Sequence, residues 1–104
     1  MEEPTIDKQF ILQTLQKNRD RLQSEFGIEQ VGLYGSFARN EQTEKSDIDI
    51  VYKLVDGHSL FLVDKERLQR ILRRQLRRKL DLIDHRYLNP FTKYMMQKEV
   101  IYVY

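Results

Sequence analysis

The chain has 104 residues, with 18 Lys and Arg against 16 Asp and Glu and no Cys, so disulfides and thiolate metal sites are excluded. Hydrophobic residues make up 40% and charged residues 33%, which suits a soluble globular domain, and a net charge of +2 is too small to argue nucleic-acid binding by itself. No run approaches the roughly 18 apolar residues of a membrane span and Met1-Glu2-Glu3-Pro4 is no signal-peptide start, so a cytoplasmic chain forming one domain over residues 1–104 is expected.

Residues 5–26 read as a helix, with Ile11, Leu15, Leu22 and Phe26 at helical spacing, a stripe that Asn18 interrupts. Thr5 is the expected N-cap, Asp7 suits the positive end of the helix dipole and Gly27 supplies the stop. This helix carries no chemistry. Residues 31–34 read as a short buried strand, after which Gly35 and Ser36 turn the chain into a short helix. A helix N-terminus with Gly before it is an anion site. Ser36 could add a hydroxyl to a phosphate oxygen or simply cap the helix behind it.

Residues 40–45 contain no apolar side chain and form an exposed loop, in which Glu41 and Glu44 are solvated. Arg39 is read in two ways, as a contact to a triphosphate or, preferred, as an ion pair holding the loop beside Asp47 or Asp49. If residues 47–52 form a strand, period-2 geometry puts Asp47 and Asp49 on one face and Ile48 and Ile50 on the other. Two carboxylates side by side resist full ionisation unless a cation or open water accompanies them. Oxygen ligands of this kind suit magnesium, which takes one or two protein carboxylates and lets substrate phosphates complete its shell.

Asp56-Gly57 is a turn signal, and His58 and His85, the only histidines, pair with no nucleophile or ligand cluster and are assigned to surface or turn roles. Residues 62–78 form the clearest helix, with Leu68, Ile71, Leu72 and Leu76 on one face and Arg67, Arg70, Arg73, Arg74, Arg77, Arg78 and Lys79 concentrating charge toward its end. That basic face reads as solvated, with docking of an acidic partner or a phosphate backbone as the other reading. Residues 79–83 read as a strand with Leu80 and Leu82 on one face and Asp81 on the other, while Asp84 is taken as a turn residue. If this strand lies beside residues 47–52, Asp81 comes into line with Asp47 and Asp49. Asn89-Pro90 starts another helix, given an apolar face by Phe91, Tyr94 and Met95, and residues 100–104 read as a closing edge strand.

Gly35-Ser36-Phe37-Ala38-Arg39 followed by Ser46-Asp47-Ile48-Asp49, with a third acid at Asp81, resembles the signature of the nucleotidyltransferase superfamily that includes DNA polymerase beta. More narrowly it resembles the minimal nucleotidyltransferase domains, over roughly residues 27–104. The resemblance implies an α/β fold, a mixed β-sheet with helices packed on one side. It implies Asp47, Asp49 and Asp81 as catalytic and metal-holding residues for two Mg²⁺ ions, with Gly35, Ser36 and Arg39 at the nucleotide. It further implies attack on the α-phosphorus of ATP with release of pyrophosphate. Domains of this kind are often antitoxins paired with a HEPN-type RNase toxin, and some transfer AMP to a Tyr of that partner. The chain is too short for a second, substrate-binding domain, so the acceptor is expected to be held by another protein. The competing class is a non-catalytic binding module that neutralises its partner by contact. A third, an RNA-binding domain, rests only on the Arg-rich helix.

Overall fold

Asp7 accepts a hydrogen bond of 2.9 Å from the Phe10 N–H and so caps the first helix. The structure, a computed structural model, describes residues 6–104, and the cap expected at Thr5 lies outside them. The expected single helix over residues 5–26 is two, α1 (Lys8–Lys17) and α2 (Arg19–Phe26). Asn18 is the cause: it is buried, and its Nδ2 donates to the Thr14 carbonyl at 2.7 Å and to Gln75 Oε1 at 2.8 Å. An amide that takes a helix carbonyl and a distant side chain together competes with the regular ladder. Gly27, at φ 65°, ends α2 in the left-handed conformation.

The sheet consists of β1 (Ile28–Tyr34), β2 (Ile48–Leu54), β3 (Leu80–Asp84) and β4 (Ile101–Tyr102), in the order β3-β2-β1-β4. β1 runs antiparallel to β2 and β4, whereas β2 and β3 are parallel, joined by a crossover through α3 (Leu62–Leu76). Ile48, Ile50, Tyr52 and Leu54 of β2 turn to one face. There they join Val31, Leu33 and Leu80, with Ile11, Leu15, Leu22, Phe26, Leu68, Leu72 and Leu76 of the three helices, in one core. The sheet is therefore mixed, with α1, α2 and α3 packed on one side, as expected.

Three further elements depart from the sequence reading. The short helix after Gly35 is a hydrogen-bonded turn over residues 36–40, closed by Glu41 N–H to the Ser36 carbonyl at 2.9 Å, with Asn40 at φ 59°. A left-handed residue there stops a helix after one turn. Helix α3 ends at Leu76, because Arg77 takes φ 57°. Asp84, expected as a turn residue, does cap the one-turn 3-10 helix His85–Tyr87, yet it is buried and paired with Arg86 at 2.8 Å.

The last helix, α4 (Pro90–Gln97), is capped by Asn89, whose side chain accepts from the Thr92 N–H at 2.8 Å. Its expected apolar face does not pack: Phe91 is 72% exposed, Tyr94 58% and Met95 46%, while Met96 alone in α4 is buried. Strand β4 is shorter than residues 100–104 but does close the sheet at its edge. Among the described residues no helix is long and apolar enough to cross a membrane.

Candidate active site

Sheet register builds the centre of the site. Tyr34 of β1 stands opposite Asp49 of β2, and Asp49 stands opposite Asp81 of β3. These three side chains therefore project in a row from the sheet face opposite the core, on strands about 4.8 Å apart. Asp47 lies just before β2 and is exposed, as is Asp81, whereas Asp49 is half-buried. Burial pushes the Asp49 carboxyl above the usual carboxylate range, and the charges of Asp81 and Asp47 push it the same way. The Tyr34 hydroxyl is driven up too, by burial first and then by Asp49, Asp81 and Glu99.

The turn after β1 is built around that carboxylate. Gly35 has φ 77°, and a Cβ on it would collide with Asp49 Oδ2 and lie 3.0 Å from its carboxyl carbon. Glycine is thus needed twice here, for the backbone conformation and for the close approach of Asp49. Ser36 caps no helix, and its hydroxyl makes no hydrogen bond among the described residues, which removes the structural role weighed for it.

Arg39 does form ion pairs, but with Glu41 (Nε to Oε2, 3.0 Å) and Glu99 (Nη1 to Oε2, 3.0 Å), not with Asp47 or Asp49. The other oxygen of Glu99 accepts from the Gly35 N–H at 3.3 Å. Glu99 also lines, with Tyr34, Thr92, Met95 and Met96, a cleft of about 240 Å³ beside the acids. Sequence reasoning missed Glu99, and no local pattern marks it. It missed Tyr34 as well, although its place next to Gly35 at the end of a strand was a usable signal.

Arg78 is the third missed residue. Its Nη1 donates to the carbonyls of Thr43 (3.0 Å), Glu44 (3.3 Å) and Ser46 (3.0 Å), and its guanidinium lies 5.3 Å from the centre of the Phe37 ring. One cation therefore ties the loop that delivers Asp47 to the turn that carries Ser36. The Ile48 N–H donates to the Lys79 carbonyl at 2.9 Å, fixing the start of β2 against the end of the crossover.

The histidines stand away from this row. His58 packs its ring on Gly27, and His85 lines a separate cleft of about 360 Å³ with Lys53, Lys93 and Tyr102. Burial lowers the His85 pKa, as do the charges of Lys53 and Lys93.

Among the described residues, no three His, Cys, Asp or Glu side chains stand together as a ready-made metal cage. The donor set nevertheless suits a hard cation that keeps waters and shares its shell with a ligand's phosphates. Asp49 accepts no hydrogen bond among the described residues, and its two acidic neighbours leave its charge poorly compensated. A divalent ion at Asp47, Asp49 and Asp81 would relieve that strain.

The Nucleotidyltransferase domain family matches residues 15–103. A Methanocaldococcus jannaschii protein named as a candidate protein adenylyltransferase is 34% identical over 94 residues, covering 89% of this chain and 94% of the relative. A solved structure described as a candidate minimal nucleotidyltransferase superposes with a TM-score of 0.75 at 27% identity, covering 95% of this chain and 98% of that one. The fold is shared also with a chain from a Shewanella oneidensis complex of a tri-AMPylated HEPN toxin with its MNT antitoxin. There the TM-score is 0.62 at 18% identity, over 89% of this chain and 71% of that one.

Proposed function

We propose, for a chain that belongs to the nucleotidyltransferase domain family, that it transfers AMP from ATP to a hydroxyl of a partner protein. The reading rests above all on the row formed by Asp49 and Asp81 in register, with Asp47 beside it, opening next to the Gly35 turn. Residues 1–104 act as one minimal nucleotidyltransferase domain. Phosphate oxygens take the Gly35 N–H, the uncommitted Ser36 hydroxyl and the Arg39 guanidinium, and the three acids would hold the metal. Magnesium bound by Asp47, Asp49 and Asp81, two ions in the full complement, would neutralise the triphosphate and the departing pyrophosphate.

The acceptor oxygen attacks the α-phosphorus, the bond from that phosphorus to the bridging oxygen breaks, pyrophosphate leaves, and the hydroxyl proton passes to bulk water. Positioning and charge neutralisation supply most of the acceleration in such displacements. A chain with no activated Ser or Cys is adequate for that chemistry.

The partner class follows the antitoxin reading, a HEPN-type toxin neutralised by modification, which the Shewanella complex supports by analogy. Incubating the domain with its neighbouring toxin candidate, RNA and labelled Mg-ATP, followed by intact mass measurement of the proteins and counting of label on the RNA, tests the proposal. One or more AMP masses on the partner, lost with Asp47→Asn, is the expected result. A stable complex without any mass change returns the chain to the contact-only binding module, and label on RNA with the partner untouched overturns the acceptor class.

A further inference from the structure

The donors assigned above to the nucleotide's phosphates already hold an anion. Glu99 Oε1 accepts from the Gly35 N–H at 3.3 Å and Oε2 accepts from Arg39 Nη1 at 3.0 Å, so one carboxylate spans both. Two donors that grip the two oxygens of a carboxylate are spaced to grip two oxygens of a phosphate as well. We infer that Glu99 sets the affinity of the phosphate subsite by standing in it, an internal competitor that the nucleotide displaces from the Gly35 N–H and Arg39. This deepens the proposed function and rests on it.

The position of Glu99 follows from the backbone at the end of α4. The Glu99 N–H and the Val100 N–H both donate to the Met96 carbonyl, at 3.0 and 2.9 Å, and Ile101 then pairs with Leu33 of β1. The side chain is thus delivered from the far end of the sequence against the turn after β1. It brings a further negative charge beside the row of Asp49 and Asp81, where acids already stand side by side. A purely structural partner for Arg39 is available without that cost in Glu41. What Glu99 alone reaches is the Gly35 N–H together with the guanidinium.

Displacement needs no change of fold. The Glu99 side chain is 32% exposed and Arg39 43%, and pairs of such exposure are weak enough for a multiply charged ligand to exchange.

The test is calorimetric titration of the intact domain with Mg-ATP, inorganic tripolyphosphate and adenosine. Glu99→Gln is expected to tighten ATP and tripolyphosphate by about three- to tenfold, the range a surface ion pair spans, and to leave adenosine unchanged. Glu99→Asp keeps the charge but is one methylene too short to span both donors, and is expected to tighten them too. Glu41→Gln removes a charge from the same arginine without touching Gly35, and should change affinity less than twofold. In an Arg39→Ala background the gain from Glu99→Gln should collapse.

Equal or weaker ATP binding by Glu99→Gln overturns the inference, as does a gain from Glu41→Gln as large as that from Glu99→Gln, which would reduce the effect to bulk charge. Saturable ATP binding by wild type with no Glu99 effect leaves the nucleotidyltransferase reading standing and removes only the competitor. No binding by any variant overturns both. Far-ultraviolet circular dichroism on each variant separates loss of fold from loss of affinity.

Discussion

Replacing Asp49 by Asn should stabilise the metal-free protein, although it destroys the proposed site. Asp49 accepts no hydrogen bond among the described residues, so the substitution breaks none, and it removes a charge held against Asp81 and Asp47 in a half-buried position. Two unit charges about 5 Å apart repel by about 0.8 kcal/mol in water and about 3 kcal/mol at an effective dielectric of 20. Since Asp81 and Asp47 are exposed, the lower end applies, and we expect a gain of about 1 kcal/mol, or about 4–8 °C in Tm for a domain of this size. The sign follows from proton linkage. The folded-state pKa of Asp49 lies above its ordinary 3.8, so the folded wild type binds more protons than the unfolded chain between those values and loses stability as pH rises through them. Thermal unfolding in EDTA should therefore show wild type and Asp49→Asn nearly alike at about pH 3 and separated at pH 7. With Mg-ATP the order should invert, because a ligand at 100 times its Kd adds about 2.7 kcal/mol to the wild type and little to the variant. An Asp49→Asn protein less stable than wild type in EDTA at pH 7 would refute the reasoning.

Ser36→Ala should leave urea stability within about 0.5 kcal/mol, because the hydroxyl has no partner among the described residues, while weakening ATP in the same preparation. A loss of stability with ATP affinity intact would return Ser36 to a structural role. Arg78→Ala should cost about 1–3 kcal/mol in urea unfolding by releasing three loop carbonyls at once. Arg78→Lys should recover only part of that, since a single ammonium lacks the planar guanidinium that also lies on Phe37. Phe91→Ser should change stability by no more than about 0.5 kcal/mol, because the ring is 72% exposed, and a larger loss would show that α4 packs through it.

The acid row was legible in the sequence because it depends on two simple geometries. Alternation along one strand fixed the face of Asp49, and an isolated acid between Leu80 and Leu82 marked Asp81 as facing away from the core. Their alignment needed one further condition, that the two strands be parallel neighbours, which the α3 crossover meets. What stayed hidden depends on distant partners. The break at Asn18 is made with Gln75, 57 residues away, and Glu99 reaches Gly35 across 64. Periodicity gave α4 an apolar stripe correctly, but a stripe says nothing of whether another element covers it.

The Arg-rich helix, left between solvation and docking by its sequence, divides once its contacts are known. Arg67 is committed to Glu25 at 2.9 Å and to the Phe26 ring at 4.6 Å, and so ties α3 to α2. Arg78, just past the end of α3, is committed to the loop before Asp47. Arg70, Arg73 and Arg74 make no ion pair among the described residues, and Arg73 and Arg74 sit in the last turn of α3, where cations complement the helix dipole. The basic face is therefore not one feature. At its edges it is the scaffold that joins α2, the Ser36 turn and the Asp47 loop, and between those edges Arg70, Arg73 and Arg74 present their charge to solvent.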